Sequence, residues 1–211
     1  MPPRSLTLLL VRHGETTWNA EGRWQGQTDV PLSEVGRRQA ELLGARLARL
    51  FASGTLPRPK GVFTSDLSRA VETVRILLEC TGLTGDASPD ADLRERYFGS
   101  WEGKTAEEVG FAPGSGERAP DAEGYDAVWV RMNAALERVW HTSDNAALIV
   151  GHGGSLRALV ARAGGLDASG IRHFALGNTS LTVATFVGAS LETAETRLLR
   201  VNDTAHLEAC P

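Results

Sequence analysis

Residues 5–33 read SLTLLLVRHGETTWNAEGRWQGQTDVPLS, and the fold is decided in their first third. Residues 6–11 are apolar at every position but Thr7. A short run of this kind, without polar alternation, suits a strand covered on both faces. It ends abruptly in Arg12, His13, Gly14 and Glu15, so a buried strand delivers charge and glycine at its carboxyl end.

The same pattern recurs twice, in GVFTSDLSRAVETVRILLE at 61–79 and ALIVGHGGSLRALVARAGG at 147–165. Each is an apolar run, a polar or glycine break, then helical periodicity, and their alternation predicts an α/β sheet. After the first run a helix is expected from Ser33, whose side chain can cap it, with Leu42, Leu43, Leu47, Leu50 and Phe51 facing the core. The second helix is expected to begin near Ser65 or Asp66. A third spans about residues 125–140, with Val128, Met132, Leu136 and Val139 at helical spacing. The stretch SLTVATFVGASLETAETRLLRV at 180–201 reads as two strands joined by a glycine-containing loop, which makes the sheet mixed. Residues 110–124, rich in Gly, Pro, Ala and acids, read as an irregular insertion and a mobile wall of the site.

With 211 residues, 42% hydrophobic and 23% charged, the chain has the composition of one globular domain spanning 1–211. A formal net charge of -4 supplies no overall field for DNA or RNA, so an anion site must be local. Cys80 and Cys210, the two cysteines, suggest neither a disulfide framework nor a metal site. The first apolar run is too short for a secretory signal and no segment approaches membrane-spanning length, which predicts an untargeted, cytoplasmic chain.

Ligands of open α/β sheets bind beyond the carboxyl ends of the strands. There the sequence places Arg12 and His13, then residues 65–69, then residues 151–155, so two histidines and two arginines converge on one edge. Gly14, Gly153 and Gly154 are expected to let backbone amides approach a ligand, and a helix N-terminus behind GHGG to favour an anion. Arginine forks bind paired phosphate oxygens, and an unprotonated histidine nitrogen can attack phosphorus.

Arg12-His13-Gly14-Glu15, Asn19, RWQGQTDVPLSEVG, Ser68-Arg69-Ala70, Leu93-Arg94-Glu95 and GHGGSLRAL occur in an order that resembles the histidine phosphatase superfamily, the phosphoglycerate mutase-like group. The resemblance covers about residues 7–187. It implies a three-layer α/β/α sandwich with a mostly parallel, mixed sheet. It also implies that His13 accepts the phosphate, that Arg12, Arg69 and a protonated His152 surround it, and that Glu95 is the acid and then the base. Asn19, Gln25, Gly26 and Gly153 match positions beside the phosphate or substrate.

Glu95 would need its pKa raised by burial or by the approaching phosphate. Glu102, Glu107 and Glu108 are alternative carboxylates in reach. Glu15 is read as positioning its loop, and Trp18 and Trp24 as packing the loop or lining the pocket. His141, His173 and His206 lie outside the motifs. No cofactor and no metal is expected, because no third ligand accompanies His13 and His152 and arginines would repel a cation. FGSWEGKT at 98–105 is spaced wrongly for a nucleotide-binding loop, and GHGGS lacks a serine-hydrolase elbow.

The function expected is metal-independent hydrolysis of a small-molecule phosphate ester through phosphohistidine, of the histidine acid phosphatase type. The alternatives are a cofactor-dependent phosphoglycerate mutase and a non-catalytic phosphate-ligand binding protein. The resemblance implies that the mutases carry a longer, basic segment before the second histidine. Here that segment is short and acid-rich, with Arg118 as the base in its middle. No nucleic-acid or membrane partner is expected, and the oligomeric state is left open, a homodimer included.

Overall fold

The computed structural model describes residues 3–111 and 117–208. Six strands form one sheet: β1 (Arg4–Arg12), β2 (Gly61–Thr64), β3 (Ser88–Pro89), β4 (Ala146–Gly151), β5 (Leu181–Gly188) and β6 (Glu195–Asp203). Their order is β3-β2-β4-β1-β5-β6. β3, β2, β4 and β1 run parallel, and β5 and β6 are antiparallel additions.

The helices are α1 (Thr17–Ala20), α2 (Glu34–Ala52), α3 (Ser68–Thr81), α4 (Ala106–Val109), α5 (Tyr125–Thr142) and α6 (Gly153–Ala163). Successive side chains of β1 alternate between two cores. Leu6, Leu8 and Leu10 meet Val128, Met132 and Leu136 of α5 and Leu156 and Leu159 of α6. Leu9 and Val11 meet Leu43 and Leu47 of α2 and Val74 and Leu77 of α3. The sheet is therefore the middle of three layers, and the unbroken apolar run of β1 follows from burial on both sides. Among the described residues no helix is long and apolar enough to cross a membrane.

Three local expectations need correction. Leu42 is only half-buried and joins neither core, while Leu43, Leu47 and Phe51 form the inward face of α2 with Leu50 packed at its edge. α3 begins at Ser68 rather than at Ser65 or Asp66. Its capping acceptor comes from elsewhere in the chain: Asp29 Oδ1 takes the Ser68 amide at 2.9 Å and the Ser68 hydroxyl at 2.8 Å. The insertion is the third case. Residues 112–116 lie outside the described residues, and the part that follows is tied down. Asp121 accepts from the Ser100 amide, and Glu123 exchanges bonds with Tyr97.

Candidate active site

Parallel pairing of β1 with β4 brings the two motif histidines together. Arg12 stands opposite Gly151, and the pairing continues one residue further, where His13 N–H donates to Gly151 O at 2.9 Å. The imidazoles of His13 and His152 lie 5.1 Å apart, centroid to centroid. Both are buried, at 3% and 0% exposure, and so is Arg69, the largest fully buried side chain. The ion pair that Arg69 might have made locally goes to other residues: Glu72 binds Arg37, and Arg75 binds Glu79.

The hydrogen bonds fix opposite tautomers on the two rings. His13 Nδ1 lies 2.6 Å from the Gly14 carbonyl, which can only accept, so Nδ1 carries the proton and Nε2 keeps its lone pair. His152 Nδ1 accepts from Arg69 Nε–H at 3.2 Å, so its proton sits on Nε2. Nε2 of His152 has no partner among the described residues.

Burial holds the pKa of His13 well below the usual imidazole value, helped by the Arg12 and Arg69 guanidiniums and opposed by the Gly14 bond. His152 is likewise depressed, by burial and then by Arg69, His13, Arg12 and Arg131. Burial and the neighbouring guanidiniums thus favour a neutral ring over the protonated His152 expected around a phosphate, and a neutral ring still offers its Nε2–H as a donor. A second proton on Nδ1 would face the Arg69 N–H.

Arg69 also donates to Gly26 O at 2.7 Å and Thr28 O at 2.8 Å, which leaves two of its five N–H groups for a ligand. Burial lowers its pKa to about 10, so it stays charged at neutral pH. Arg12 donates to Leu176 O at 2.6 Å, and its buried Nε has no partner among the described residues.

A cavity of about 350 Å³ opens over these groups, a size suited to a small molecule. Arg12, His13, Asn19, Gln25, Gly26, Arg69, Glu95 and Gly153 line it, so eight of the nine expected site residues face one space, and the ninth, His152, is fully buried with its ring against that of His13. Trp24 and Phe98, 4.8 Å apart, supply its apolar wall. Among the described residues of the insertion none lines it, and Arg118 is bound to its own loop through Ala122 O.

Glu95 is 9% exposed. Its Oε2 accepts from Gly154 N at 2.8 Å and its Oε1 from Arg96 N at 2.7 Å. None of the alternative carboxylates lines the cavity, Glu107 is exposed, and the other two have other work. Glu102 accepts from the Gln27, Thr28 and Phe98 amides and so joins two loops, and Glu108 caps α4. Glu15 accepts from the Ser33 hydroxyl, which holds its loop to the start of α2.

Gly153 lines the cavity as expected, but the amides of Gly14 and Gly154 are used within the protein. Gly14 gives its amide to Thr73, and a Cβ there would stand 2.4 Å from the Gly36 carbonyl, so it permits helix packing. A Cβ on Gly154 would stand 2.3 Å from Glu95 Oε1. The anion at the α6 N-terminus is thus Glu95 itself.

Four residues escaped sequence reasoning. Arg157 and Arg23 bring the cavity's guanidiniums to four. Arg157 stands one turn after Gly153 in α6, and that spacing was a usable signal. Asn178 Nδ2 donates to His13 O and Asn19 Oδ1. His206 bonds Thr179, whose amide donates to the Arg12 and His13 carbonyls. Neither had a local pattern to mark it. Among the described residues no group of three or more His, Cys, Asp or Glu is placed to hold a metal ion.

Comparison with known proteins agrees with this geometry. The model of the histidine phosphatase superfamily (branch 1) matches residues 8–204, and the chain belongs to that family. A curated relative, the probable phosphoglycerate mutase GpmB of Yersinia pestis, is 34% identical over 217 aligned positions, covering 96% of this chain and 95% of its own. Among solved structures, a mycobacterial glucosyl-3-phosphoglycerate phosphatase complexed with VO3 superposes with a TM-score of 0.80 at 29% identity, over 93% of this chain and 98% of that one. YhfR of Bacillus stearothermophilus gives 0.79 at 29% identity, over 96% and 99%.

Proposed function

We propose that the protein is a metal-independent phosphomonoesterase of the histidine acid phosphatase type, hydrolysing a small phosphate ester through a phosphohistidine on His13. The observation that carries this reading is the opposed pair of tautomers: one buried imidazole offers a lone pair and its neighbour offers an N–H.

His13 Nε2 attacks phosphorus as the ester P–O bond breaks. Arg12, Arg69 and the Nε2–H of His152 take the equatorial oxygens. Glu95, the one carboxylate among the described lining residues, takes up a proton that enters with the ester's phosphate and gives it to the departing alcohol. The resulting carboxylate then takes a proton from water, whose oxygen attacks phosphorus and releases His13 and inorganic phosphate. Guanidiniums supply all the positive charge this needs, and four of them beside one carboxylate make the cavity hostile to a metal cation.

The mutase reading draws on the relative named as a probable phosphoglycerate mutase. Against it, among the described residues between Glu95 and His152 only Phe98 lines the cavity, and it carries no charge for a substrate carboxylate.

A panel of phosphate esters in chelator tests both, with 3-phosphoglycerate included with and without 2,3-bisphosphoglycerate. Phosphate release and an acid-labile, base-stable adduct on His13 are expected. Isomerisation outpacing release would establish the mutase instead. No adduct and no turnover on any ester would leave a binding protein.

A further inference from the structure

Arg131 of α5 is almost buried, with 15% of its side chain exposed, and each of its five N–H groups has a partner. Nη1 donates to Asp92 O at 2.6 Å and Arg94 O at 2.7 Å. Nη2 donates to Glu95 O at 3.1 Å and Glu123 Oε2 at 2.9 Å, and Nε donates to Glu123 Oε1 at 2.7 Å. With no donor left over, this guanidinium is not a ligand group. Apart from a long contact of Nη1 with Met132 Sδ at 3.8 Å, every bond it makes goes to the segment that bears Glu95 or to Glu123.

Glu123 completes the arrangement. Its Oε2 also accepts from Tyr97 N at 3.1 Å, and its own amide donates to Tyr97 O at 2.9 Å. The Glu95 segment lies between two short 3-10 turns, Ala91–Leu93 and Gly99–Trp101, and pairs with no strand. Without such bonds nothing in the sheet would set its height above the cavity. Three carbonyls within four residues, those of Asp92, Arg94 and Glu95, accept from one fork, and a one-ångström error in an acid's position is enough to impair proton transfer.

We propose that Arg131 and Glu123 are positioning residues that hold the Glu95 carboxyl where it must protonate the leaving alcohol, so that the segment following residue 116 governs which leaving groups the enzyme accepts. The inference rests on the phosphomonoesterase reading. It predicts a loss that depends on the leaving group. An ester of a weakly basic phenol departs without help, whereas an ester of an alkanol needs the proton.

The test compares kcat/KM, which reports the steps through ester cleavage, for p-nitrophenyl phosphate and glycerol 2-phosphate. Arg131→Lys keeps the charge but cannot serve five acceptors in a plane. It is expected to lower kcat/KM on glycerol 2-phosphate about 30- to 100-fold, short of the full general-acid contribution, and on p-nitrophenyl phosphate less than about 3-fold. Should that variant not fold, Glu123→Gln keeps an acceptor for Tyr97 N–H, removes the charge, and is expected to show the same selectivity at about 10-fold. Equal losses on both esters, or none on either, would overturn the proposal while leaving the phosphomonoesterase standing. A wild-type protein that hydrolyses neither ester would overturn both, and a Glu95→Gln variant without leaving-group selectivity would overturn the assignment of the acid and the proposal with it.

Discussion

The two halves of the site are held by different means. His13 and His152 sit at the ends of adjacent parallel strands, where backbone pairing from Thr7 opposite Ala146 to Arg12 opposite Gly151 sets their separation. Glu95 sits in a loop, and its place depends on bonds from Gly154, Arg96, Gln27 and Arg131. The first half fails only when the sheet fails. The second rests on a handful of contacts, each worth about 1 kcal/mol net, and can be altered while the fold survives. The surroundings of His13, the proposed nucleophile, are therefore rigid, and those of Glu95, the proposed acid, are adjustable.

The sharpest way to break this comparison is at the nucleophile. His13→Ala is expected to abolish the phosphoryl adduct and lower turnover by at least about 10^4-fold, since loss of a nucleophile is not made good by its neighbours. Activity above that level would mean that the strand-end half is not where the chemistry starts.

Amide hydrogen exchange reads the difference in rigidity directly. The His13 amide, bonded to a strand carbonyl, is expected to exchange at least about 100-fold more slowly than the Arg96 and Tyr97 amides, which are held by the Glu95 and Glu123 carboxylates. Equal protection would erase the distinction.

Gly154→Ala attacks the seam between the halves. Its Cβ would press on Glu95 Oε1, costing about 1–3 kcal/mol of stability as overpacking does. We expect a fall of about 10-fold on alkyl phosphates, a smaller one on p-nitrophenyl phosphate, and a lowered urea midpoint.

The smallest effect concerns acid. His13, His152 and His206, the three histidines with lowered pKa, all belong to the rigid half or brace it. His206 is lowered to about 4, chiefly by burial and then by Arg46. The unfolded chain therefore takes up that proton first, so its stabilisation is complete above about pH 6.5 and is lost as pH falls toward 4. His206→Asn should make the loss of stability between pH 7 and 5 smaller by about 1–2 kcal/mol in urea titrations. An unchanged pH dependence would show that His206 is not a proton-linked brace of the strand ends.

The rigid half was also the legible half. An apolar run that stops at Arg12 and another that stops at His152 show where strands end, and parallel pairing does the rest. The start of α3 lies two or three residues later than expected because its cap, Asp29, is 39 residues earlier in the chain. Gly14 and Gly154 were misread because the atoms that exclude a side chain, on Gly36 and Glu95, are neighbours only after folding. Arg131 carried no local mark at all. Its partners are spread over positions 92–95 and 123, and a guanidinium that serves backbone carbonyls leaves no periodicity or motif behind.

The register of β1 against β4 also limits how such a molecule can be lengthened. One residue added inside either strand would slide His13 past His152 by about 3.3 Å and turn every later side chain to the opposite face. Residues added between Tyr97 and Glu123 would disturb neither histidine. On the proposed mechanism, the loop beyond the acid is therefore free to vary, while the phosphate-binding strand ends fix the length of the two central strands.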